Sequence, residues 1–226
     1  MLLRHWFHPL PRRAADLDLV GTYAYGPEET ARRFAPLLAD RGVADGVAFD
    51  PERFRAEGIW LNTDCPGVRL HAAGEVDGEE DDFSVDITFG EPLVPEPSWD
   101  DVPTMHGPAR LMVCRPETIA GRKLHALRHM GRMHWRPKDL NDLRLLLERV
   151  PMDEAGLAEG IAASFRRGDA PALAREVLGP GGWRGMKMSS ARWQDYARTA
   201  EGTPRDLAAV VAETAARLAP VLARLP

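Results

Sequence analysis

Strand character in this chain is confined to the residues before 115, and from Pro151 onward the sequence is Ala-rich with helical periodicity only. A chain patterned this way builds its sheet from the first part and stacks helices behind it, which makes it α+β. A soft boundary near residue 150 divides a mixed domain, 1–150, from a helical one, 151–226. Ala15 to Val20 alternates polar and apolar residues until Gly21 stops it, the period-two mark of a half-buried strand. Ile59 to Asn62, Val68 to Ala72, Phe83 to Phe89 and Leu111 to Cys114 read as further strands, rich in β-branched or aromatic residues. Glu91 to Pro108 holds five prolines and reads as a loop.

Helices are announced by prolines at first positions. Pro27 opens one with Phe34, Leu37 and Leu38 on a shared face and Gly42 as its C-cap. Pro116 opens another to about Gly131, and Pro137 a third with Leu140, Leu143, Leu147 and Val150 on its buried stripe. In the last third, residues 153–167 and 172–178 read as helical, with a break at 179–182. Ser190 is placed to cap a helix through Trp193 and Tyr196. Thr203 and Pro204 are placed to open the last helix, whose stripe is Leu207, Val210, Val211, Leu218, Val221 and Leu222.

With 44% hydrophobic and 28% charged residues, collagen, coiled coil and wholesale disorder are excluded. No stretch approaches the roughly 18–20 apolar residues of a membrane span, and the first residues do not form a secretory signal, so the expected compartment is the cytoplasm. Cys65 and Cys114 read as ordinary thiols. Although the net charge is −5, charge is segregated: Glu75 to Asp101 holds eleven acids and no Lys or Arg, whereas Arg110 to Arg149 holds ten bases against four acids. The basic segment can hold an anionic substrate locally, or both segments are simply solvated surface.

Asp16 and Asp18 flank Leu17, so both carboxylates project from one face of the first strand. Like charges so close need a cation or hydrogen-bond donors, and Mg²⁺ takes carboxylate and phosphate oxygens together. A solvent-facing strand is the other explanation. Asp86, between Val85 and Ile87, has the same placement on its own strand. If the two strands pair, three carboxylates converge on a sheet as in two-metal phosphoryl transfer. Lys123, on the basic helix, has the character of a triphosphate clamp. Asp139 and Asp142 share a helical face and, with Arg136 and Lys138, also read as surface ion pairs.

Taken in order, Arg12 to Gly21, Val85 to Pro92, Pro116 to Leu127 and Arg136 to Leu143 resemble the motifs of the AbiEii/AbiGii-type nucleotidyltransferase toxin family. The likeness runs from about Leu2 to Val150 and weakly on through Ser164 to Arg167. It implies a nucleotidyltransferase-fold mixed sheet with flanking helices, a helical C-terminal domain, and Mg²⁺-dependent use of an NTP. It also implies a toxin with an antitoxin partner, and tRNA as an acceptor of nucleotides. Asp16 and Asp18 match the family's metal-binding pair and Asp86 its third acid. Lys123 matches the lysine of the helix motif, and Arg136, Lys138 and Asp139 match R-x-K-D, with Asp142 as its second acid. The sequence departs from the family in two places. The Gly-Gly or Gly-Ser turn that precedes the D-x-D is absent before Asp16, which implies an N-terminally shortened member. Arg122 also stands where an acid often precedes the lysine. A small-molecule nucleotidyltransferase and a non-catalytic binding protein of the same fold are the alternative functions.

His125 and His129 are four apart on one helix but lack the Glu of a zinc protease, and read as exposed histidines. Trp183, Trp193 and Tyr196 are candidates to stack bases or to fill the core. No nucleophile triad or phosphate loop of the G-x-x-x-x-G-K type is present.

Overall fold

The computed structural model describes residues 2–7, 17–39, 46–76, 78–104, 107–165, 172, 176–178 and 187–225. In chain order its elements are α1 (Leu2–Trp6), β1 (Leu17–Gly21), α2 (Pro27–Ala39), β2 (Val47–Ile59), β3 (Gly67–Val76), β4 (Glu79–Phe89), β5 (Ser98–Thr104) and β6 (Gly107–Val113). They continue with α3 (Pro116–His134), α4 (Pro137–Arg149), α5 (Glu154–Phe165), α6 (Lys187–Thr199) and α7 (Leu207–Leu222). These fall into two compact units, residues 14–91 and residues 2–13 with 92–226. The expected boundary near 150 lies between α4 and α5, inside the second unit.

The first unit is a four-stranded sheet in the order β1-β4-β3-β2. β1 runs parallel to β4, and the other neighbours are antiparallel, so the sheet is mixed. Alternation gives it one apolar face. Val68, Leu70, Ile87 and Phe89 are buried there, with Leu19, Phe54, Ala56, Val85 and, from α2, Phe34 packed against them. Leu37 on α2 is 63% exposed, so the expected helical face is only partly used. Gly21 is required where β1 ends: a Cβ there would lie 2.3 Å from the Phe89 ring, which packs edge-on against Tyr23 and Tyr25.

One strand assignment is corrected by this unit. The strand expected over 59–62 instead ends at Ile59, because Trp60 takes φ 54° and Thr63 closes a turn onto its carbonyl, N to O 3.1 Å. The strand proper is β2, which the charged sequence from Asp50 to Glu57 conceals. Pro51 is tolerated because β2 is an edge strand and its register shifts between Asp50 and Arg55.

The second unit contains α1, α3 to α7 and the hairpin β5-β6. The expected loop over 91–108 is thus half strand: Pro103 and Pro108 face one another near the hairpin end, where missing N–H donors cost least. Leu124, Leu127, Leu140, Leu143, Leu146, Ile161, Val211 and Leu218 form the heart of the helical core, each burial worth about 1.5–3 kcal/mol. α3 and α5 approach closely through glycine, since a Cβ on Gly121 would lie 2.5 Å from the Gly160 carbonyl oxygen. Asp153 caps α5 by accepting from the Gly156 N–H at 2.7 Å.

Two cap assignments also change. α6 begins at Lys187, which leaves Ser190 inside it. Thr203 closes the end of α6, its N–H donating to the Ala200 carbonyl at 3.2 Å, and Asp206 caps α7 by accepting from Ala208 and Ala209. Gly42, residues 166–167 and 173–175, and the 179–182 break lie outside the described residues, while 172 and 176–178 are helical as expected. Among the described residues no helix is long and apolar enough to cross a membrane.

Candidate active site

The face of the sheet opposite the apolar one is polar, and the register lines up its charges. Asp18 on β1 is the partner of Asp86 on β4, Asp86 of Arg69 on β3, and Arg69 of Glu57 on β2. Cross-strand partners share a face, with strands about 4.8 Å apart, so one charged row crosses all four strands. Asp86 is buried while Asp18 is exposed. Arg69 grips Asp86 with both arms of its fork, Nε to Oδ1 2.6 Å and Nη2 to Oδ2 2.6 Å. At the end of the row, Glu57 meets His71 Nε2 at 2.8 Å. That hydrogen bond is the main reason its carboxyl lies below the usual range, with the charges of Arg55 and Arg69 adding to it.

The row therefore sets three carboxylates against one guanidinium. Asp18 and Asp86 bring two hard oxygen ligands to neighbouring positions, which suits Mg²⁺. Asp16, the third expected ligand, lies outside the described residues. Among the described residues no three His, Cys, Asp or Glu side chains gather closely enough to hold a metal by themselves.

The second unit holds a different charged cluster, on α3 and α4. Lys123 reaches Asp139 Oδ1 at 2.8 Å and Asp142 Oδ2 at 2.9 Å, and Arg136 Nε reaches Asp139 Oδ2 at 2.8 Å. Both carboxylates are 1% exposed, so the surface ion pairs anticipated as one reading are in fact a buried network. Burial alone would lower the Lys123 pKa, but the facing charges of Asp142 and Asp139 outweigh it and raise it above the ordinary 10.5. The network is anchored from α6: Arg192 donates to the Trp135 carbonyl at 2.9 Å, and Asn141 donates to Tyr196 Oη at 3.3 Å.

Of the residues singled out in the sequence, Asp18 and Asp86 are thus neighbours, and Lys123, Arg136, Asp139 and Asp142 are in contact. Lys138 is half-buried on α4. Trp193 is fully buried, stacked on Trp135 with its indole N–H donating to the Pro204 carbonyl at 2.8 Å, which assigns it to the core. Trp183 lies outside the described residues. His125 and His129 stack on one another at 5.8 Å. Arg69 was not anticipated, because its significance comes from register with Asp86, seventeen residues away.

Residues 1–215 match the family model described as nucleotidyl transferase AbiEii toxin, type IV toxin–antitoxin system. No curated protein matches the chain. The crystal structure of JHP933 from Helicobacter pylori is similar at a TM-score of 0.47 and 13% identity, over 100% of this chain and 82% of that one.

Proposed function

We propose, since the chain belongs to the family of AbiEii nucleotidyl transferase toxins, that it moves a nucleoside monophosphate from an NTP to an acceptor in a Mg²⁺-dependent reaction. The observation that supports this most is the in-register pairing of Asp18 with Asp86 on the polar face of the sheet. An acceptor hydroxyl attacks the α-phosphorus, a P–O bond forms, the α–β phosphoanhydride bond breaks, and pyrophosphate leaves while the hydroxyl proton passes to solvent. Asp16, Asp18 and Asp86 are the residues that would hold the metal, whose chemistry is to acidify the hydroxyl and neutralise the departing charge. The chain's own contribution is to hold Asp86 rigid through Arg69 and Asp18 in register beside it.

In the second unit, Lys123, Arg136 and Lys138 are proposed to contact the nucleotide. Two of the three N–H donors on Lys123 are directed to carboxylates, and the third is the one proposed to meet an anionic ligand. Asp139 orients Lys123 and Arg136. The proposed acceptor is the 3′ end of a tRNA, the proposed partner is an antitoxin protein, and the proposed compartment is the cytoplasm, where NTPs and tRNA meet.

The test is transfer of label from α-labelled NTPs to tRNA with Mg²⁺, across a salt series. Labelled tRNA, with yield falling steeply as salt rises, supports the reading. No label on tRNA, together with label on a small hydroxyl compound, moves the acceptor to that class. No transfer of any kind under any NTP defeats the enzymatic reading.

A further inference from the structure

The row across the sheet contains a cation that neither the family motifs nor the metal chemistry call for. Asp86, whose side chain is 8% exposed, has both oxygens within 2.6 Å of Arg69, whose side chain is 39% exposed. A guanidinium does not lose its proton in a protein, so this counter-charge is permanent. Asp18 stands beside Asp86 on the next strand, while Arg69 is in register with Asp86 on the other side. A divalent cation approaching the two acids therefore meets one carboxylate whose charge is already answered. It must share Asp86 with Arg69 or displace it, and Arg69 is exposed enough to swing away.

We infer that Arg69 is a built-in competitor for the divalent cation at Asp86: a positioning residue that holds the carboxylate in place when no metal is bound and sets how much metal the site requires. This rests on the reading above only in placing a metal at these acids. Removing a unit positive charge within about 5 Å of a divalent ion strengthens its binding about tenfold even at the dielectric constant of water.

Mn²⁺ alone is the probe, titrated into the full chain without nucleotide and followed by the electron paramagnetic resonance of the free ion. Arg69→Gln is expected to bind Mn²⁺ about tenfold more tightly than the wild type or better. Arg69→Lys keeps the charge but loses the fork, and should gain only about threefold. In Arg69→Gln/Asp86→Asn the gain should vanish, because it runs through the Asp86 carboxylate. Equal or weaker Mn²⁺ binding by Arg69→Gln overturns the inference, and so does the absence of binding in every variant. If Arg69→Gln does not fold, Arg69→Lys decides by the same criterion. Unchanged Mn²⁺ affinity in Arg69→Gln, with nucleotide transfer by the wild type, defeats the competitor and leaves the nucleotidyltransferase reading standing. A gain in affinity in a chain that transfers no nucleotide does the reverse.

Discussion

The two charged clusters are built from the same elements, acids answered by a cation from the neighbouring element, and they differ in their access to water. On the sheet, Arg69 and Asp18 are open to solvent and only Asp86 is buried. Between α3 and α4, Asp139 and Asp142 are both 1% exposed and Lys123 lies between them. An ion pair whose cation is solvated can exchange that cation at small cost, whereas a buried network is paid for in desolvation and is costly to open. On the proposed reading, the sheet row is where a metal would be taken up and released. The helical network is suited to holding α3 against α4.

The sharpest way to break this contrast is Lys123→Met, which removes the cation shared by two buried carboxylates and leaves Asp139 with Arg136. Stability should fall by about 3–5 kcal/mol in a urea titration. A loss below about 1 kcal/mol would mean the helical network is no more fixed than the row. The raised pKa of Lys123 gives a second handle. A cationic group stabilised in the folded state contributes fully below its unfolded value, near 10.5, and the contribution fades as pH rises through the higher folded value. Alkaline destabilisation above pH 10.5 should therefore be smaller in Lys123→Met than in the wild type.

Asp86→Asn probes the other cluster and should invert the pattern. Nucleotide transfer should drop at least about 100-fold, with stability lowered by only about 1 kcal/mol, since the half-exposed Arg69 can turn to water. Gly160→Ala sharpens the boundary of the scaffold: a Cβ there would lie 2.8 Å from the Glu117 carbonyl oxygen, so thermal unfolding should show a loss of about 1–3 kcal/mol. Asp206→Ala removes the α7 cap and should cost about 1 kcal/mol by the same measurement, with Mn²⁺ binding unchanged.

What the sequence disclosed follows the same division between local and cross-chain information. β1, β3, β4, α3, α4 and the stripe of α7 were legible because alternation, prolines at first helical positions and spacing of apolar residues are written within a few residues of one another. The convergence of Asp18 and Asp86 was legible only as a condition, that their strands pair, and the parallel register meets it. β2 was hidden by the charges and proline of an edge strand, and β5 with the start of β6 by prolines whose missing donors sit at a hairpin end, while the end of β6 was read at Leu111 to Cys114. The burial of Asp139 and Asp142 was concealed because their neutralising lysine comes from another helix. Arg69 carried no local signal at all, since a basic residue in a strand becomes meaningful only beside its cross-strand acid.

The most direct measurement is calorimetric titration of the four NTPs, with and without Mg²⁺, into the wild type and Asp18→Asn. Asp18 is exposed, so the substitution should leave the unfolding midpoint where it was. The account predicts Mg²⁺-dependent binding of at least one NTP by the wild type and its loss in Asp18→Asn. Binding of equal affinity in both proteins would contradict it and remove the carboxylate row from the nucleotide site.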